Sequence, residues 1–252
     1  MAVRYETRDA VAYLTLDAPP LNILTCAMMD ELSAAVEKAA ADEALKAVAL
    51  AANGKAFSAG ADVGEHSPGE ASRLIASFTR LFRDLGGLDV PLVVGVDGAA
   101  LGAGFEVAMM ADILVATERS KLGQPEIRLA FFAPVGVALL PALVGIPKAV
   151  EITCSGRSYS AAEMKELGLV RHVVPPDGLG AAVEEVLADF RKASAAVMRL
   201  NKRTLRYVTG RPFEEARVTA ERIFLEKLMK LEDVREGIAA FQEKRPPLWK
   251  DR

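Results

Sequence analysis

The chain has little of what metal centres and disulfide frameworks are built from. Its two cysteines, Cys26 and Cys154, and two histidines, His66 and His172, are scattered through 252 residues without ligand spacing. A zinc site is therefore not expected, and the pattern suits a reducing, cytoplasmic setting. Charge of one sign is also scarce. A formal net charge of −3 offers no bulk attraction for nucleic acid or for an acidic membrane surface, so neither partner is expected. Long apolar runs are lacking too: the longest, "LAFFAPVGVALLPALVGI", is broken by Pro134, Gly136 and Pro141 and is short for a membrane span. The opening "MAVRYETRDAVAYLTLD" alternates and carries charge where a signal peptide would need an apolar core. Internal repeats and low-complexity linkers are absent.

What is present is a globular composition, 51% hydrophobic and 26% charged, on a chain long enough for one large α/β domain or a domain with an appendage. "RYETRD" and "AVAYLTLD" read as a hairpin turning at Arg8-Asp9-Ala10. A helix with Thr25 as its cap follows, with Met28, Leu32, Ala35, Val36 and Ala39 at helical spacing. "KAVALAAN", "PLVVGVDG" and "ILVATE" read as strands, separated by helices over "GEASRLIASFTRLFRDLGGL" and "GAGFEVAMMAD". This βαβαβ alternation predicts a parallel sheet with ligands gathered in the loops at the strand ends. Farther on, Ser160 and Glu163 have capping-box spacing, Gly168 is a stop, "VRHVVP" is a short strand, and three helices follow from Leu179, broken near "TGRP" and "KLED".

Three segments carry polar chemistry beside small or apolar residues. In "LGAGFEVAMMAD" a glycine-rich first turn leaves the Ala103 N–H open to a ligand, with Glu106 one turn into the helix. The plainer reading is close helix–strand packing. In "GKAFSAGADVGEH" the Ala61 N–H lies in a small-residue turn after a strand, where Asp62 also reads as a helix cap. In "KLGQPEIRLAFF" Glu126 precedes an apolar run, which suits a carboxyl of raised proton affinity. Taken alone it reads more readily as a solvated loop residue. Together, two backbone donors and two glutamates make machinery for adding water to an enoyl thioester.

The segments "APPLNILTCAMMDEL", "KAFSAGAD", "DGAALGAGFEVAMMADILVAT", "LGQPEI", "SGRSYSAAEMKELGLV" and "REGIAAFQEKR", in this order, resemble the enoyl-CoA hydratase/isomerase family, the crotonases, nearly end to end. The resemblance implies an α/β crotonase-like (ClpP/crotonase) fold of repeated ββα units. It implies a core over residues 1–195 and a C-terminal helical trimerisation region over 196–252, with a homotrimer or homohexamer as the assembly. Ala61 and Ala103 fall on the oxyanion-hole positions, and Glu106 and Glu126 on the two positions that are glutamates in true hydratases. In that scheme Glu126 delivers the proton to the α carbon while Glu106, with Glu126, orients the attacking water. Ala59, Asp62 and Val63, with Leu24 nearby, match the segments that line the CoA pocket. No cofactor is implied beyond the coenzyme A of an acyl-CoA thioester substrate, and no metal.

The chain departs from the family after Glu126, where a glycine-rich turn with a threonine is common. Phe131, Phe132, Pro134 and Val135 stand there instead and predict a bulkier, stiffer wall beside the acyl group. This run is similar to the branch that hydrates cyclohexa-1,5-diene-1-carbonyl-CoA. Other readings stay open on sequence. Isomerisation uses the same oxyanion hole and one carboxylate. A dinucleotide-binding module is weak, because Val107 occupies the third glycine position of the fingerprint. The basic run "RKASAAVMRLNKRTLRYVTGR" reads as a solvated face, as a contact for the CoA phosphates, or as an RNA-binding surface in a non-catalytic protein.

Overall fold

The computed structural model describes residues 1–67 and 69–252. It begins with a hairpin, β1 (Val3–Arg8) and β2 (Val11–Leu16). The turn places Asp9 and Ala10 at φ of 49° and 58°, the left-handed pair that matches strand twist in a two-residue connection. α1 (Cys26–Ala41) starts at Thr25, whose hydroxyl accepts from the Met28 N–H, and the Cys26 N–H donates to Glu65. Then come β3 (Ala47–Ala52), β4 (Ala56–Ser58), α2 (Ala71–Gly87), β5 (Leu92–Val96), β6 (Ala99–Leu101) and α3 (Ala103–Met109). β7 (Ile113–Thr117), β8 (Lys121–Gly123), α4 (Pro134–Val144), α5 (Ile146–Ser155), β9 (Ser158–Ser160), α6 (Ala161–Glu166) and β10 (His172–Val174) complete the part that contains strands.

The larger sheet has the order β1-β2-β3-β5-β7-β10, parallel from β2 onward with β1 antiparallel at its edge. Its inner strands β3, β5 and β7 are buried on both faces, as a parallel sheet requires, while β1 and β10 at the edges are more exposed. In β3, Val48 and Leu50 point into the main core with α1 and α2, while Ala47 and Ala49 face the other way, toward α7 (Leu179–Arg191). Small residues on that face let α7 approach: a β-carbon at Gly95 would lie 3.2 Å from Val183.

A second sheet, β4-β6-β8-β9, lies outside the strands read from periodicity. Each of β4, β6 and β8 follows a strand of the large sheet within a few residues and leads into the next helix, so the chain repeats ββα units. These strands are three residues long, too short to display alternation.

Four helices, not three, follow residue 178 among the described residues: α7, α8 (Ala195–Val208), α9 (Phe213–Glu226) and α10 (Glu232–Glu243). The extra break falls at Lys192–Ser194, where the Ser194 hydroxyl accepts from the Val197 N–H at 3.2 Å and caps α8. The basic run of α8 remains partly exposed, but several of its cations are paired. Lys202 donates to the Val90 carbonyl at 2.8 Å and pairs with Asp112, while Arg203 and Arg206 both hold Asp89. These cations dock α8 onto the turn between α2 and β5.

Candidate active site

The three segments singled out on sequence meet in space because each follows a strand of the small sheet. The segment after β4 forms an isolated parallel bridge between Ala61 and Leu24. That bridge uses the Leu24 N–H, which donates to Gly60 at 2.9 Å, and the Asp62 N–H, which donates to Leu24 at 3.2 Å. The Ala61 N–H takes no part in it. Leu24 is fully buried and holds this loop from behind, and neither it nor Asp62 lines the cavity. The Asp62 carboxylate instead caps the one-turn helix Val63–His66 through the Gly64 N–H at 2.7 Å.

The segment after β6 turns at Gly102, whose φ of 53° and ψ of −127° belong to glycine's territory. The Gly102 N–H donates to Gly123 and its carbonyl accepts from Glu106, and Ala103 follows as the first residue of α3. Its N–H lies in the first turn, without an intrahelical acceptor. The two loops are in close approach, since a β-carbon at Gly60 would lie 3.2 Å from the Leu101 carbonyl and 4.0 Å from the Ala103 nitrogen.

Glu106, 1% exposed, is carried inward by α3. Its Oε1 accepts from the Gly136 N–H at 2.7 Å. α4 has no side-chain cap of its own, so Glu106 supplies one from another element. Burial pushes the Glu106 carboxyl up to about 7, reinforced by the negative charge of Glu126 and opposed by the Gly136 bond. Glu126 is half-buried at the start of a one-turn helix, Glu126–Leu129. Burial raises its proton affinity as well, against its own backbone N–H and the nearby His66. Gln124, 1% exposed, presents its amide to Glu126; with the nitrogen turned toward the carboxylate it donates to both oxygens at 3.0 Å.

A cavity of about 470 Å³ lies over these groups. Ala59, Ala61, Val63, Ala103, Glu106 and Glu126 line it, as do Phe131, Phe132 and Pro134. Phe131 packs on the His66 ring with centroids 5.0 Å apart, whereas Phe132 stands at the rim, 68% exposed. Pro125, Arg128 and Leu129 flank Glu126 in the wall, and Ala71, Leu74, Ile75 and Phe78 of α2 form a further part of it. That helix is strongly amphipathic and reads on sequence as ordinary core packing, which is why its part in the cavity was not foreseen. Gln124 and Gly136 were likewise missed. Gln124 does lie within the quoted segment "LGQPEI", two positions before Glu126, whereas Gly136 acts through its backbone.

A sheet of paired strands, repeated ββα units and a C-terminal helical region make up the crotonase fold. The chain matches the model of the enoyl-CoA hydratase/isomerase family over residues 6–252 and belongs to that family. It is 36% identical over 252 residues to cyclohexa-1,5-dienecarbonyl-CoA hydratase of Thauera aromatica, covering 100% of this chain and 97% of that one. It is 38% identical over 260 residues to a probable enoyl-CoA hydratase of Rhizobium meliloti, covering 98% and 97%. The crystal structure of an enoyl-CoA hydratase from Mycobacterium smegmatis superposes with a TM-score of 0.92 at 32% identity, covering 99% of each chain.

Proposed function

We propose that the protein hydrates the conjugated double bond of an enoyl-CoA thioester. The observation that carries this reading is that two carboxyl groups of raised proton affinity share one cavity with the backbone turns of Ala61 and Ala103. The thioester oxygen sits between the two N–H groups. Water held by the carboxyl pair attacks the β carbon and passes its proton to Glu106. The charge that develops on the thioester oxygen is held by the Ala61 and Ala103 N–H groups, and Glu126 delivers a proton to the α carbon. A carboxyl that titrates near neutrality suits this exchange, since one member of the pair can hold a proton while the other accepts one. Hydration rather than isomerisation is favoured because both carboxyl groups face the same space.

The acyl group is proposed to be compact and cyclic, a cyclohexadienecarbonyl unit. Support comes from the phenylalanine pair and Pro134 on the cavity wall and from the name of the Thauera relative. No cofactor is needed beyond the coenzyme A of the substrate. A trimer, or a pair of trimers, is part of the proposal. Phe213, Leu225 and Phe241 of the C-terminal helices are 75%, 68% and 86% exposed in the single chain, and a partner subunit would cover such residues. The cytoplasmic location is proposed on the two free cysteines.

The test is the purified protein incubated with crotonyl-CoA and with the cyclic dienoyl-CoA, following thioester absorbance and product mass. Gain of one water establishes hydration. A shifted absorbance with unchanged mass would establish isomerisation instead.

A further inference from the structure

The cavity wall carries an imidazole to which the proposed hydration assigns no proton transfer. His66 ends the one-turn helix Val63–His66 and lines the cavity among Ala71, Leu74, Ile75 and Phe131. Its Nδ1 lies 2.8 Å from the Asp62 carbonyl oxygen. A carbonyl only accepts, so Nδ1 is the nitrogen that carries hydrogen, and in the neutral ring the lone pair is on Nε2. The ring is held by this bond on one edge and by Phe131 at 5.0 Å on a face. Nε2, on the other side of the ring, has no hydrogen-bond partner among the described residues. Two independent contacts therefore fix an open acceptor in the cavity wall, in addition to the carboxyl groups of Glu106 and Glu126, with apolar side chains of α2 and Phe131 around it.

We propose that His66 is a specificity-determining residue, whose Nε2 accepts a hydrogen bond from a hydroxyl carried by the acyl group at a position remote from the thioester. The inference rests on the reading that the cavity holds the acyl part of a CoA thioester. A hydrocarbon acyl group would strip water from Nε2 and leave it unpaired, whereas a ring hydroxyl restores the bond. Sites that desolvate a polar group in this way discriminate against ligands that cannot pair with it. Within the compact cyclic class proposed above, the imidazole thus favours a member that carries a ring hydroxyl over the unsubstituted ring.

Saturated probes test this without requiring turnover. Cyclohexanecarbonyl-CoA and its 3-hydroxy and 4-hydroxy analogues are titrated into the full chain by calorimetry. In the hydroxylated probes the hydroxyl is not on the β carbon, so it cannot be lost by simple dehydration. We expect one hydroxylated probe to bind about tenfold more tightly than the parent, and His66→Phe to abolish that preference, with the parent bound at least as tightly as by wild type because no polar group is left unpaired. His66→Met also lacks the acceptor and serves if the phenylalanine variant fails to fold. Equal affinities in wild type, or a preference that survives either variant, would overturn the role of His66 and leave the CoA reading intact. Failure of wild type to bind the parent would overturn both.

Discussion

Gly102 leaves the space that the Glu126 carboxylate fills: a β-carbon at position 102 would lie 2.5 Å from Glu126 Oε1. The same residue bends the chain at φ 53° and leads into Ala103, which lines the cavity as the first residue of α3. One glycine thus serves the turn proposed to hold the oxyanion and one of the carboxyl groups together.

Gly102→Ala should therefore damage stability and catalysis at once. The backbone conformation costs a non-glycine residue about 1 to 3 kcal/mol, and the displaced carboxylate should lower kcat at least about tenfold. Urea unfolding together with steady-state kinetics checks this; a variant with wild-type kcat would show that Glu126 tolerates the displacement.

Glu106→Gln and Glu126→Gln should each lower hydration about 100-fold or more while thioester affinity is largely kept, because each removes a proton-transfer group without changing its size. Turnover and equilibrium binding are measured on the same preparations. Wild-type turnover in either variant removes that residue from the chemistry.

Ala103→Pro removes one proposed donor at the first position of a helix, where proline is tolerated. Loss of an oxyanion donor typically costs about 100-fold or more in rate. Circular dichroism confirms that the variant is folded, and near-normal turnover would then assign the oxyanion to other groups.

Stability should depend on pH through Glu106. Its carboxyl binds protons up to about 7 in the folded chain, against 4.5 as the ordinary value. A folded value raised in this way contributes stability that is fully present below about 4.5 and lost as the pH rises through about 7. The interval amounts to about 3 kcal/mol. Glu106→Gln cannot ionise and still offers an oxygen to the Gly136 N–H, so it should exceed wild type in stability at about pH 8 and show no such gain at about pH 4. Denaturant melts at both values check the sign.

Phe131→Ala should open the acyl cavity, because Phe131 is the ring packed on His66 while Phe132 stands at the rim. Selectivity for decenoyl-CoA over the cyclic dienoyl-CoA, read as the ratio of kcat/KM values, should rise about tenfold or more, with a smaller change for Phe132→Ala. A wild-type enzyme that already prefers decenoyl-CoA would contradict the compact pocket.

Much of this protein was legible in its sequence where the signal is local. Thr25 and Ser160 cap their helices as their spacing predicts, Gly168 ends α6 with φ of 78°, and the long strands of the large sheet lie where apolar runs end in turn residues. Periodicity did not reveal β4, β6 and β8, since three residues cannot show a period, and it merged α7 with α8 because the break at Ser194 has neither glycine nor proline. For the site, the sequence determined which residue types were available: a glycine turn before Ala103, a carboxylate at 106 and another at 126. Only the tertiary structure decided their state. The proton affinity of Glu106 depends on burial by distant segments and on a backbone N–H of Gly136, thirty positions away. Likewise Leu24 and Asp62 became supports of the loop rather than cavity wall, and three cations of α8 became a clamp, because burial and pairing are properties of neighbours in space rather than of neighbours in the chain.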